Sequence, residues 1–357
     1  MNKTLDFIPN SESKVQSWDE LKDTIEERYS YNVEDVKLGE LSIDESGHIC
    51  RGDDQYSITE DGFKHFCTRI LRIPDPFANM IPFDLLQHNV KEICRDNSSE
   101  DVILHFNQTH GNLVNISKGD FMPIAHLDLI GEMEKVTPGF TQGLIDDSGL
   151  NIDTTDPVLE GFTTEIEPAV GDVSKVGFTY NMSQTGFHST SARLFLYRLI
   201  CSNGMVAPRA WGNARLRTKL TRPLTTSVNS FFHQIGSLGD KAEQMAAMLK
   251  TMIATNFTTE TAAKTWAKLD KMTDGGSADV FFDLSTDQRI KYMDEEKLRR
   301  KENKDNPLAS DVNAKEIPVN TYKVYNNITH GAKRFDRQTR RQLESFAGEL
   351  MTTIGEA

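Results

Sequence analysis

In the first hundred residues the apolar positions repeat mostly at helical spacing. A short helix is predicted over about Trp18 to Tyr29. Another over Ser57 to Arg72 sets Phe63, Phe66, Cys67, Ile70 and Leu71 on one face, with Ser57 and Glu60 at capping-box spacing and Pro74 and Pro76 as its stop. A third runs from about Pro82, a residue suited to a first helical turn, to Arg95. Leu38 to Ser57 reads as short strands around the Ser46-Gly47 and Gly52-Asp53 turns.

The period then shortens to two. Val102 to Phe106 and Leu113 to Ser117 form a predicted strand pair around His110-Gly111-Asn112, and Ile124 to Met133 is apolar without a clear period. Val136 to Ser174, rich in Gly, Thr, Pro and Asp, reads as loop with a strand near Gly161 to Ile166. Val176 to Asn181 and Ala192 to Cys201 are strands. In the latter, Leu194, Leu196, Arg198 and Ile200 share one face and Phe195, Tyr197 and Leu199 the other, the pattern of a central strand. Asn203-Gly204 is the strongest hairpin signal, with Met205 to Trp211 returning from it. After Pro223 the pattern is helical: about Ser227 to Ser237, Asp240 to Thr255, Thr259 to Met272, Ser285 to Lys301 with Ser285 and Gln288 at capping-box spacing, and Gln338 to Met351. Asp274-Gly275-Gly276 is a break, Glu302 to Ala314 a polar linker, and Tyr322 to Asn326 one further strand. The expected fold is α+β: an antiparallel sheet over Val102 to Arg217, packed helices, and a helical C-terminal third. The expected organisation is an N-terminal extension over 1–57 and one domain over 58–357, in which 136–174 is loop-rich and 223–357 mainly helical.

Composition adds little to that picture. With 357 residues, 38% hydrophobic and 26% charged, the chain is of globular type and able to bury a sizeable core. Cys50, Cys67, Cys94 and Cys201 show no metal-type spacing and read as reduced thiols. Met1 to Asp19 is polar and acidic, without the apolar core of a signal peptide, and no run approaches the roughly 18 apolar residues of a membrane span. The expectation is a cytoplasmic protein with no membrane partner.

Charge changes the picture more. The formal net charge is −13, and Met1 to Asp61 holds 16 acids against 6 bases. Val136 to Ser174 contains no Lys or Arg but Asp146, Asp147, Asp153, Asp156, Glu160, Glu165, Glu167 and Asp172, a run of −8. Between Asp172 and Asp240 the sign reverses: no acid occurs, and Lys175, Arg193, Arg198, Arg209, Arg215, Arg217, Lys219 and Arg222 give +8. One-sign surfaces attract polyanions, and nucleic acid is the commonest. Arg binds phosphate through its fork and stacks on bases, while Trp211 offers a flat apolar surface. Alternation would set Arg215, Arg217 and Lys219 on one strand face about 6.5–7 Å apart, near the phosphate repeat of an extended single strand. Two blander arrangements stand beside this one. The two runs neutralise each other inside the fold, or the cations guard a sheet edge against aggregation.

Lys333, Arg334, Arg337, Arg340 and Arg341 form a second basic cluster, opposed by Asp336; Arg334, Arg337 and Arg341 have the spacing of one helical face. It is either a secondary binding patch or a solvated helix start. Lys297, Arg299, Arg300, Lys301 and Lys304 follow three acids and read as partners within their own helix. His105, His110 and His126 lie near the first strand pair as either polar core residues or metal ligands. Asp146, Asp147, Asp153 and Asp156 are the candidate oxygen ligands of a metal-dependent nuclease. No P-loop, dinucleotide fingerprint or GxSxG occurs, and no cofactor is expected.

Arg198-Leu199-Ile200-Cys201-Ser202-Asn203-Gly204-Met205 resembles the signature of the phage/plasmid-like family called domain of unknown function nine-three-two. Gly171-Asp172 with Val176 to Asn181 is similar to the strand leading into that signature, and Tyr325-Asn326-Asn327-Ile328-Thr329-His330 to a late segment. The resemblance spans roughly Ser57 to Ala347. It implies a mobile-element origin and the host-cell cytoplasm, and no particular reaction. After His330 the chain departs from the family, where further aromatic and His residues follow. The leading expectation is therefore a phage or plasmid protein that binds single-stranded DNA, for annealing or recombination, and is not an enzyme. The alternatives are an acidic factor that inhibits a host protein, motivated by Met1 to Asp61, and the nuclease. A second copy of the chain is among the partners this composition permits.

Overall fold

Ser17 shows how locally the N-terminal helix is determined. Its hydroxyl caps the helix Trp18–Arg28 while the Glu20 carboxylate accepts from the Ser17 amide at 2.9 Å. Leu21 and Ile25, four residues apart, then turn one face inward. The computed structural model describes residues 8, 15–158, 165–167, 173–198, 203–206, 214–216, 224–237, 241–273, 278–305 and 313–355. Strands and helices mix in an α+β arrangement, with antiparallel sheets and a largely helical region from Leu224 onward. No helix among the described residues is long and apolar enough to cross a membrane. The chain divides into two compact units.

The first unit comprises Met1–Asp153, Tyr180–Ala192 and Ala214–Gln234. Its strand Tyr31–Lys37 pairs antiparallel with Asp101–Asn107, which pairs with Leu113–Lys118. Leu41–Ile43, Ile49–Arg51 and Asp54–Tyr56 form a second three-stranded sheet. Residues 15–57 are therefore no extension. The alternating strand Tyr31–Lys37 needs a neighbour for its backbone groups and finds it along Asp101–Asn107. The core here joins Val36, Leu38, Ile49, Phe66, Val90, Leu104 and Ile116. Each such side chain adds roughly 1.5–3 kcal/mol when fully buried.

Several elements differ from expectation. Thr59, not Ser57, caps the helix Glu60–His65: its hydroxyl accepts from the Gly62 amide and donates to the Val114 carbonyl at 2.8 Å. Gly62 is required there, since a Cβ would lie 2.1 Å from the Val114 carbonyl oxygen. The helix continues as a π-helical turn over Phe66–Ile70. Most of Ile124 to Met133, apolar without a clear period, lies in the helix His126–Val136. The stretch read as loop holds two full strands, Gly139–Asp146 and Gly149–Thr155. In this unit Val15–Gln16 pairs antiparallel with Gly139–Asp146, and Ala214–Arg215 with Ser191 and Ala192.

The second unit comprises Thr154–Thr179, Arg193–Asn213 and Ile235–Ala357. Its residues Ser174 and Lys175 pair antiparallel with Glu165–Ile166, and residues 195–198 with Asn203–Val206. Leu194, Phe195 and Leu196 are all buried, as a strand apolar on both faces requires. Asn203 and Gly204 lie within a strand, opposite Arg198 and Tyr197. Residues 199–202 and the expected return over 207–211 lie outside the described residues. Helices Lys241–Ala254, Thr259–Met272, Thr286–Asp305, Thr321–Gly331 and Arg337–Gly355 supply most of this unit. Trp266, Phe257 and Phe282 meet at its centre with ring centroids 4.9 Å apart in each pair containing Phe282. The strand expected over Tyr322 to Asn326 is helix instead, because Asn320 caps it by accepting from the Lys323 amide at 3.1 Å. The strand lies just before it, at Glu316–Asn320, paired with Asn256–Thr258.

Candidate nucleic-acid interface

The long basic run is carried by strands in its described parts, and each cation there has a distinct setting. Lys175 sits near the start of Ser174–Met182 and donates from Nζ to both carboxylate oxygens of Asp156, at 2.8 and 2.9 Å. Arg193 is half-buried and donates from one terminal guanidinium nitrogen to Ser345 Oγ at 2.9 Å. Arg198 closes its strand opposite Asn203. Arg215, on the two-residue strand Ala214–Arg215, is exposed, and its backbone amide donates to Gln234 Oε1 at 3.3 Å. Ala214 and Leu216 on either side of it are buried, so alternation turns the Arg215 side chain outward. The side chain of Arg198, and all of Arg209, Trp211, Arg217, Lys219 and Arg222, lie outside the described residues.

The C-terminal cluster is not an exposed patch. Lys333 and Arg334 are exposed on the short helical turn Ala332–Arg334, but Arg337 is buried and Arg340 is only 1% exposed. Arg340 Nε donates to Glu344 Oε1 at 2.9 Å, and Arg341 donates to Glu344 Oε2 at 2.7 Å. The carboxylate three and four residues further on, itself buried, draws both guanidiniums inward. Asp336 opens the helix. Burial pushes its carboxyl upward, yet hydrogen bonds from Thr339 and from the Gln338 amide win and hold it below the usual range.

The cations of Thr286–Asp305 pair largely as expected. Arg299 bonds Glu296 and Glu260, Arg300 bonds Glu296, and Lys297 bonds Asp294. Hydrogen bonding from Arg299 outweighs burial and, with Arg300 and Thr259, lowers the Glu296 carboxyl to about 2.

The histidines near the first strand pair do not converge. His105 is fully buried, its Nε2 2.8 Å from Ser117 Oγ and its ring edge-on to Phe121; burial, and then the neighbouring His65, lower it to about 4. His126 Nε2 accepts from the Gln184 amide, while His110 is exposed. Nor do the aspartates of the nuclease alternative act together. Asp146 shapes a turn by accepting from Ser148 and the Gly149 amide, Asp153 accepts from Gln142 at 2.6 Å, and Asp156 holds Lys175. Among the described residues no three His, Cys, Asp or Glu side chains could share a metal ion. Cys67 and Cys94 are buried free thiols that burial raises to about 12 and about 11, well away from reactivity.

The Lys175–Asp156 pair is one instance of the neutralisation between the two runs that the sequence also allows. Glu344 is not among the residues singled out from the sequence, although it lies three and four residues from Arg341 and Arg340. Comparison of the chain with family models, with curated proteins and with solved structures finds no match.

Proposed function

We propose that this protein binds single-stranded nucleic acid, in the manner of a mobile-element annealing or recombination factor, through the basic run between Asp172 and Asp240. One observation carries the reading. A chain of net charge −13 keeps 67 consecutive residues, 173–239, free of acid, and Arg215 within them is exposed on a short strand with apolar neighbours buried on both sides. Arg215, with Arg209, Arg217, Lys219 and Arg222, supplies phosphate contacts and Trp211 a stacking surface. Arg193 and Lys175 are engaged within the protein, so they contribute only if those contacts exchange. A fluorescence-anisotropy titration with single-stranded oligonucleotides over a range of salt tests the reading. Binding should weaken as salt rises, and Arg215→Ala/Arg217→Ala should reduce the salt slope by about 1.4–2, roughly 0.7–1 for each lost phosphate contact. Salt-independent or absent binding would remove the proposal.

A second reading, an acidic factor that engages a basic host protein, draws on Trp18–Arg28. That helix exposes Asp19, Glu20, Asp23, Glu26 and Glu27. Reversing Asp23, Glu26 and Glu27 to Lys should abolish capture of such a partner and leave oligonucleotide binding no weaker.

A further inference from the structure

The basic run begins in direct contact with the acidic run, at one lysine. Lys175 Nζ donates to both oxygens of Asp156, and Thr155 Oγ1 donates to the same carboxylate at 3.1 Å. Asp156 adopts φ +53, the left-handed region that non-glycine residues enter at a cost and that Asp and Asn tolerate best. A second acid arrives by strand pairing. Glu165–Ile166 runs antiparallel to the start of Ser174–Met182, with Glu165 directly opposite Lys175 and Ile166 opposite Ser174. Ile166 is buried and Glu165 exposed, so the apolar residue fixes the register that places Glu165 across the strand from Lys175. Of the −8 run, Asp156 thus pairs with the first cation of the +8 run and Glu165 stands opposite it in strand register.

The same contact is only partly sheltered. The Lys175 and Asp156 side chains are 29% and 45% exposed, so water and salt reach the pair and it exchanges readily. Glu344, by contrast, is enclosed with its arginines. An ion pair held in place by backbone geometry and register, yet open to solvent, is suited to competition with another anion.

We propose that Asp156 and Glu165 act as an intramolecular stand-in for phosphate, covering Lys175 until a nucleic-acid strand displaces them. The inference rests on the nucleic-acid reading and names its regulation: the acidic segment raises the threshold for binding, and displacing it adds Lys175 to the phosphate contacts.

Three proteins decide it: the full-length wild type, Asp156→Asn/Glu165→Gln, and the same double variant with Lys175→Ala. Asn suits the left-handed backbone at 156, and Gln keeps the strand pairing at 165. Each is titrated with a fluorescent oligothymidylate over a range of salt. Lys175 acetylation by a limiting reagent, read by mass spectrometry without nucleic acid, is the second measurement. The double variant should bind about threefold to tenfold more tightly at low salt, with a salt slope steeper by about 1. Its Lys175 should acetylate several-fold faster, and adding Lys175→Ala should return affinity and slope to wild-type values. If the wild type binds and the double variant binds no better, the cover is refuted while the nucleic-acid reading stands. A gain that survives Lys175→Ala refutes it too, since general repulsion then explains the change. If none of the three binds, both readings fall. Should Asp156→Asn weaken the fold, Glu165→Gln alone must still give part of the gain.

Discussion

In the first unit the buried imidazole of His105 meets a hydroxyl, an aromatic ring and the electrostatic field of a second histidine, His65. In the second, largely enclosed guanidiniums lie against buried carboxylates: Arg340 and Arg341 on Glu344, and Arg299 on Glu296, which also holds the exposed Arg300. The first site thus buries an imidazole in its neutral form, and the second holds charged guanidiniums against buried carboxylates. The difference teaches how to read charge in this chain. A cation run says little by itself: Arg340 turns inward onto the enclosed Glu344 four residues on, while Lys297 pairs with Asp294 at the surface.

Removing that carboxylate should give the largest effect. Glu344→Gln leaves two guanidiniums, one of them almost fully buried, without their counter-charge and should cost about 3–5 kcal/mol in chemical denaturation. A loss under about 1 kcal/mol would mean that the guanidiniums find water, and the contrast between the units would fail.

Acid separates the two units next. His105 has its pKa lowered from 6.5 to about 4, so between those values the unfolded chain holds more protons than the folded one. Stability from this group is complete above pH 6.5 and is lost as pH falls toward 4, by up to about 3 kcal/mol. His65 shifts the same way, first through burial, with Arg69 adding to it against a hydrogen bond that the ring donates to the Ile116 backbone carbonyl. Glu296 has its pKa lowered from 4.5 to about 2, so its contribution is present above pH 4.5 and fades only as pH falls toward 2. Hydrogen exchange followed by peptide should show Asp101–Lys118 losing protection near pH 5 while Thr286–Asp305 keeps it. His105→Leu should flatten the first response, whatever it does to absolute stability. Simultaneous loss in both segments would overturn the contrast.

The same contrast explains what was legible in the sequence. Helices at clean apolar spacing, such as Phe83–Asp96 and Thr259–Met272, fell close to their predicted bounds because one face simply avoids water. The strands Gly139–Asp146 and Gly149–Thr155 escaped notice because buried polar residues disguise them. All seven residues of Gly149–Thr155 are buried, yet Asn151, Asp153, Thr154 and Thr155 are polar. They are accommodated by sideways bonds, Asn151 to Asn181, Gln142 to Asp153 and Thr154 to the Phe178 carbonyl, which a hydropathy pattern cannot register. Gly177 adds a constraint of the same kind, since a Cβ there would lie 1.9 Å from the Thr154 carbonyl oxygen. At the candidate interface, the outward turn of Arg215 followed from alternation. The inward turn of Arg340 did not, because Glu344 had to be weighed together with it.

The smallest effect on stability, and the sharpest on function, is expected at Arg215. An exposed side chain on a two-residue strand contributes little to folding, and Arg215→Ala should change stability by no more than about 0.5 kcal/mol. Its loss should still lower the salt slope of oligonucleotide binding by about 1. Arg340→Ala supplies the opposite pattern: a large loss of stability from a buried pair and, at a temperature where the variant remains folded, an unchanged slope. If the two arginines gave the same pair of changes, exposure would not be what distinguishes a binding cation from a structural one in this protein.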